Sequence, residues 1–415
     1  MKPDIYYFNP TCELAVANGS TNYMASKRLC RFEQEMSTLP GILGKSGDLV
    51  LVDRQPPKEH IHQLQEYGFH LPDFEILENS LIDPDFLASS KGFLFPWGWS
   101  PAAHKLLSPI KRGCCSEFQG SAIANWREIH KDLYSRKASL DILKQIVISQ
   151  DSNKLLSIND LPEICWNHEE IMGLQKRWGR VVVKAPWSAS GRGLQILRPD
   201  EYNQTNRQVI AGIFKQQGYV VVEPWHQKQI DLSFQFFSLG NGKVEFKGLS
   251  SFTTDKSGHF LGNNIQELPA ELNSDIADFL SENLEMLKST LHQILILNDY
   301  SSRYYGWFGV DVMVIKSRAG GLLFHPCVEI NCRFTMGAIA LNLREHLHDG
   351  SLGEFRIFYG NEGDFSGYCR EMTKKEPVII ENGKIVQGFL QLTPLQSDSI
   401  FGAYMRISLK GGNFI

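Results

Sequence analysis

The stretch VVVKAPWSASGRGLQIL, Val181 to Leu197, constrains this chain more tightly than any other. An apolar run with one lysine at its end gives way to a loop of small residues, and a second apolar run follows. Two short strands joined by a flexible basic loop are expected. Ser188, Ser190, Gly191, Arg192 and Gly193 give that loop free backbone N–H groups, hydroxyls and a guanidinium, all suited to phosphate oxygens. The glycines let it approach a ligand without a Cβ clash. The same letters also describe an ordinary hairpin with a surface lysine, so the rest of the chain has to decide.

Two familiar phosphate-binding loops are excluded. In LPGILGKSGD the first glycine that a P-loop needs is Leu39, so the spacing fails. No G-x-G-x-x-G follows an expected strand, which removes a dinucleotide fingerprint.

At 415 residues the chain exceeds the usual single domain, so two or three cores are expected. With 42 basic and 46 acidic side chains the formal charge is -4, which gives no electrostatic reason for a nucleic-acid or membrane partner. The amino terminus, MKPDIYYFNPTCELAVANG, interrupts its apolar residues with Asp4, Asn9 and Glu13 and does not read as a signal peptide. No window reaches the roughly 18 apolar residues of a membrane span. The eight cysteines form no C-x-x-C pair, which argues against a zinc or redox motif and for a reduced, cytoplasmic protein.

Three units are expected: residues 1–133, 134–226 and 227–415. In the first, DIYYF, DLVLVD and GFLFPW alternate with helical or loop stretches, as in an open α/β sheet. The second opens with an amphipathic helix, YSRKASLDILKQIVI. A linker-like SQDSNKLLSINDLPE follows, then the two strands of the opening motif, a helix near 201–217 and a strand closed by Glu223 and Pro224. In the third, DLSFQFFSL and KVEFKGLSSF form a hairpin about Gly240-Asn241-Gly242. A long amphipathic helix comes next, then a second hairpin, WFGVDVMVI with LLFHPCVEIN, and a β-rich tail over the last 60 or so residues.

The second hairpin carries a further constellation. Residues two apart on a strand share a face, so Glu329, Asn331 and Arg333 can point one way. Val310 and Val312 face the core, which leaves the Asp311 carboxylate on the other side. Closure about SRAGG places Asp311 across from Glu329 or one step away. Two carboxylates and an amide oxygen suit Mg²⁺ shared with nucleotide phosphates, whereas a solvated polar sheet face is the plain alternative. Three other features carry a binding and a packing reading alike: FNPTCELAVANGSTNY with FPWGWSPAAH, where Trp97 and Trp99 read first as core; Thr253, Thr254 and Asn263; and Arg303. His226 and His325 read as packing or hydrogen-bonding residues.

Taken in order, Lys137 near a helix start, the strand-end Lys184, the loop SASGRG, Glu223 in VVVEPW, Asp311, and Glu329 with Asn331 resemble the ATP-grasp superfamily over Lys137 to Gly337. The resemblance implies an α/β and α+β architecture: an amino-terminal Rossmann-like α/β domain, a small lid carrying the loop, and a carboxy-terminal α+β domain, with ATP between the last two. It implies that Lys137, Lys184 and the loop contact ATP phosphates, that Glu223 reads the adenine or ribose with Trp225 and Asp231 among the nucleotide contacts, and that Asp311, Glu329 and Asn331 bind Mg²⁺, Mn²⁺ being the alternative ion.

EINCRFTMG looks like the E-x-N-x-R form of carboxylate-amine ligases, which makes Arg333, with Lys184, the expected catalytic pair. A small-molecule carboxylate and amine would be the other substrates, and a homodimer would form through the β-rich tail. Within the same fold a phosphotransferase remains open, as does a nucleotide-binding regulatory protein.

Overall fold

A computed structural model of the chain describes residues 2–150, 152–188, 193–199, 201–256, 258–298, 300–318 and 320–409. Three sheets organise these residues.

The first sheet is parallel and built from β1 (Ile5–Tyr7), β2 (Leu49–Val52), β3 (Asp73–Ile76) and β4 (Leu94–Pro96) in the order β3-β2-β1-β4. The chain winds outward from β1 to β3 and returns to the far side of β1, so β1 and β4 diverge at a topological switch point. β3 escapes the sequence reading because its four residues, DFEI, place acidic side chains at two positions and lack a β-rich run.

A small sheet follows, from β5 (Glu163–Cys165), β6 (Val181–Lys184), β7 (Leu194–Leu197) and β8 (Val220–Pro224), in the order β5-β8-β6-β7. β6 and β7 are the antiparallel pair expected from the opening motif. β5, which starts at the end of the expected linker, and the helix His168–Trp178 lie where no element was expected, and β5 pairs antiparallel with β8. Val181, Val183, Val220 and Val222 build this sheet's own core with Ile171, Ile210 and Ile213. The alternate positions, Lys184 and Glu223 among them, therefore share the opposite face.

The third sheet has nine strands: β9 (Gln227–Leu239), β10 (Val244–Thr254), β11 (Phe260–Asn264), β12 (Tyr305–Lys316), β13 (Leu322–Asn331), β14 (Ser351–Tyr359), β15 (Ile379–Glu381), β16 (Lys384–Gln391) and β17 (Phe401–Leu409). Their order is β13-β12-β9-β10-β11-β14-β17-β16-β15. Both expected hairpins are present, and the helix Ser274–Leu297 covers one face through Phe279, Leu287 and Leu291. The β-rich tail completes this sheet and includes one helix, Asp364–Lys375. Pro326, which lacks an N–H, is tolerated inside β13 because that strand is an edge and its register with β12 shifts between Asp311 and Met313.

The helix Arg136–Ser149 lies against β13: the Ser139 hydroxyl accepts from the Ile330 N–H at 2.9 Å, and Leu140, Leu143 and Ile146 join the core beneath the large sheet. Its first turn consequently sits at the junction of the small and large sheets, where the Arg136 N–H donates to the Pro186 carbonyl at 2.9 Å.

A short helix, Met336–Arg344, seats on the other face of the large sheet through Gly337, where a Cβ would come within 2.4 Å of Ser250 Oγ and 2.6 Å of Gln235 Nε2. Alanine is the better helix former by about 1 kcal/mol, yet Gly337→Ala is expected to destabilise the protein by about 1–3 kcal/mol through overpacking. Gly367, inside a helix with open space around it, is the control: Gly367→Ala is expected to stabilise by about 0.5–1 kcal/mol. Thermal unfolding of the two variants should show shifts of opposite sign.

Candidate active site

Alternation along β9 sets the floor of the site. Leu232, Phe234 and Phe236 face the core, which turns Asp231, Ser233 and Gln235 to the other face. The register then aligns Ser233 with Asp311 and Asp311 with Glu329, so hydroxyl and carboxylates stand in one row across three strands. The expected pairing of Asp311 with Glu329 is therefore present. The signal for Ser233 and Gln235 lay in the polar alternation of DLSFQFF, which the sequence reading took only as a hairpin strand.

Asp311 is buttressed from both sides. Ser233 Oγ donates to Asp311 Oδ1 at 2.7 Å, Gln235 Nε2 donates to Ser233 Oγ at 2.8 Å, and Thr335 Oγ1 donates to Gln235 Oε1 at 2.7 Å. Thr335 in turn caps the helix Met336–Arg344 by accepting from the Ala338 N–H. On the other oxygen, Asn331 Nδ2 donates to Asp311 Oδ2 at 3.0 Å. Burial, and then the facing Glu329 carboxylate, push Asp311 up to about 7.

Two arginines flank the row. Arg136 approaches Glu329 Oε1 at 3.1 Å and also donates to the Ala185 carbonyl at 3.1 Å and Ser188 Oγ at 3.3 Å. It ties the start of the glycine-rich loop to the carboxylates of the large sheet. Arg333 donates to Asn331 Oδ1 at 3.0 Å and ion-pairs with Glu13 at 3.0 Å. Lys137, expected to reach the phosphates, is instead exposed on the helix, and its buried neighbour Arg136 is the cation gathered into the cluster. One residue along a helix is a rotation of about 100°, so the two side chains face different ways.

Above this floor, Lys184 and Glu223 form a buried ion pair on the open face of the small sheet. Burial, the largest single influence, would raise the Glu223 carboxyl, but the Lys184 ammonium together with His325 and His226 holds the group below its usual range. Glu223 thus engages Lys184 in this structure. Ser188 is buried at the loop's start, and Gly193 closes the hairpin at φ +78, where its carbonyl accepts from the Ala185 N–H at 3.1 Å. Ser190, Gly191 and Arg192 lie outside the described residues. Trp225 is half-buried, with the Arg180 guanidinium 4.2 Å from its ring centroid. Asp231 is buried and paired with Lys228, and Thr254 Oγ1 donates to it at 3.3 Å.

The donor set fits a divalent cation in one respect and departs from the expectation in another. Asp311 and Glu329 are like charges facing each other in a partly desolvated row, which a cation would offset. The Asn331 oxygen is taken by Arg333 and its amide nitrogen faces Asp311, so Asn331 here orders the carboxylate and does not present an oxygen beside it. No group of three or more His, Cys, Asp or Glu side chains suited to a metal occurs among the described residues.

Of the remaining sequence candidates, Trp97 and Trp99 are core residues, Thr253 and Arg303 are exposed, and Asn263 is buried. The segments 8–23 and 95–104 meet at the switch point, where Asn9, Cys12, Glu33, Ser100 and Lys105 help to line a cavity of about 400 Å³. His325 is fully buried, 3.8 Å from Glu223, and neither ring nitrogen has a hydrogen-bond partner among the described residues. No helix among these residues is long and apolar enough to cross a membrane.

No protein-family model and no curated protein sequence matches the chain. Solved structures do match in shape. The ADP complex of N5-carboxyaminoimidazole ribonucleotide synthetase superposes with TM-score 0.50 at 10% identity, over 98% of this chain and 92% of that one. Biotin carboxylase from Campylobacter jejuni, as a β,γ-ATP complex, gives TM-score 0.50 at 12% identity, over 98% of this chain and 87% of that one. At these identities the likeness is one of fold.

Two expectations test the geometry. Arg136→Met leaves Glu329 and Ser188 without their shared cation. Any nucleotide turnover should then fall by about tenfold or more, read as phosphate release; Lys137→Met should fall less than threefold. Burial drives His325 down to about 3. Between there and about pH 6.5 the unfolded chain binds a proton that the folded ring refuses. The stability contributed by neutral His325 is therefore complete above about pH 6.5 and is lost as pH falls. His325→Leu should make the melting temperature less sensitive to pH between 7.5 and 5, with the larger gain over the wild type at pH 5.

Proposed function

We propose that this chain, which has the ATP-grasp fold, is an ATP- and Mg²⁺-dependent ligase that activates a carboxylate as an acyl phosphate and joins it to an amine. The observation that carries this reading is the row Ser233–Asp311–Glu329, flanked by Arg136 and Arg333, with Arg136 also bonded to Ser188. Among the described residues, the row itself contains no cysteine or histidine. What converges is charge, as transfer of a phosphoryl group to a substrate oxygen requires.

Asp311 and Glu329 would hold Mg²⁺, whose charge would help to neutralise the nucleotide phosphates. Lys184, released from Glu223, would contact those phosphates together with the loop 188–193. Arg136 would tie Ser188 to Glu329. The substrate carboxylate oxygen bonds to the γ-phosphorus and the bond to ADP breaks. The amine nitrogen then bonds to the acyl carbon, the C–O bond to phosphate breaks, and the amine proton leaves. Arg333 would stabilise negative charge on the acyl phosphate and on the phosphate that departs. The cavity at the switch point has the size and mixed polarity for one of the two small substrates.

ATP turnover to ADP and phosphate is the first test, with Mg²⁺ and with pooled carboxylates, in the presence and absence of pooled amines. Release that needs both pools, and that falls on the order of 100-fold in Glu329→Ala, is the expected result. A phosphorylated hydroxyl formed without any amine would instead identify a phosphotransferase. Nucleotide binding without turnover in any pool would point to a regulatory protein.

A further inference from the structure

The Arg333 side chain does not stand on the large sheet alone. It is clasped by the two loops that leave the switch point of the first sheet. From the loop and helix after β1, Glu13 places Oε1 3.0 Å from Arg333 Nε, with Glu13 only 4% exposed. From the loop after β4, the Trp97 carbonyl accepts from the Phe334 N–H at 2.8 Å. Gly98 lies so close that a Cβ there would come within 3.0 Å of Arg333 Cβ and 2.4 Å of Cys12 Sγ. Asn9 locks the two loops together: its Nδ2 donates to the Gly98 carbonyl at 2.8 Å, and its Oδ1 accepts from the Gly98 N–H at 3.3 Å.

From Glu13 the contacts continue without a gap. Arg333 donates to Asn331, Asn331 to Asp311, and Ser233 to Asp311. A carboxylate of the first domain thus fixes the guanidinium that orders the amide beside the paired carboxylates. Glu13 also neighbours Cys12 and Ala15, which line the switch-point cavity, so the helix bounding that cavity is the one that holds Arg333.

We propose that Glu13 is a positioning residue for Arg333, through which the amino-terminal domain sets the reactive geometry of the large sheet. The inference rests on the ligase reading and deepens it: the side-chain contact of Glu13 is with Arg333, and it reaches the paired carboxylates through that guanidinium and Asn331. Its loss should lower the rate of phosphoryl transfer while leaving ATP affinity in place.

The experiment is a mutant cycle on the full-length protein: wild type, Glu13→Gln, Glu13→Asp, Arg333→Ala and the double variant Glu13→Gln/Arg333→Ala. For each, kcat and KM for ATP are measured by phosphate release with Mg²⁺ and the stimulating pools, beside melting temperature. Glu13→Gln should lose roughly tenfold or more in kcat with KM for ATP within about twofold. Glu13→Asp should recover part of that loss. The double variant should be no slower than Arg333→Ala, since both changes act on one group. If Glu13→Gln does not fold, Glu13→Asp carries the comparison with its own Arg333→Ala double.

The inference is overturned if Glu13→Gln keeps kcat within about twofold of the wild type, if KM for ATP rises in step with the loss, or if the two losses multiply in the double variant. A wild type that releases no phosphate in any pool defeats the ligase reading and this inference together. An active wild type with an unaffected Glu13→Gln defeats this inference alone.

Discussion

Two carboxylates held face to face in a partly desolvated row repel each other, and much of the surrounding structure is arranged to keep them there. Asp311 and Glu329 stand opposite by strand register. Each is held from its own side: Asp311 by a run of neutral donors from Thr335 through Gln235 and Ser233, Glu329 by the guanidinium of Arg136. Burial and the facing Glu329 carboxylate raise Asp311 to about 7 against the opposing pull of Ser233, Asn331 and Arg333.

Each sheet supplies what its strand arrangement allows. The parallel sheet diverges at a switch point and delivers two loops, and these grip Arg333 and enclose a cavity. The small antiparallel sheet buries one face in its own valine-rich core and leaves the other for Lys184 and Glu223. The nine-stranded sheet spends one face on the helix Ser274–Leu297 and uses the other as a platform for polar groups. Arg136, at the first turn of a helix seated on β13, is the joint between small sheet and platform.

Much of this was legible in order along the chain, because it depends on local periodicity. The valine run ending in Lys184, the Gly-Asn-Gly hairpin, and Asp311 opposite Glu329 follow from alternation and turn chemistry. β3, β5 and the helix Asp364–Lys375 were missed because short strands and tail helices have weak patterns that their neighbours stabilise. The family resemblance implies a phosphate role for Lys137 and says nothing of its neighbour Arg136. Which of two adjacent basic residues turns inward depends on how the helix is rotated on β13.

By itself, then, the sequence determined the longer elements and hairpins and the residue types that can serve phosphate chemistry, since these rest on interactions a few residues apart. Only the tertiary structure decided that Lys184 pairs with Glu223, that the Asn331 oxygen is taken by Arg333, and that Glu13, 320 positions away by subtraction of residue numbers, holds that arginine. Charges pair across the shortest distance in space, and that distance is set only when separate sheets pack against one another.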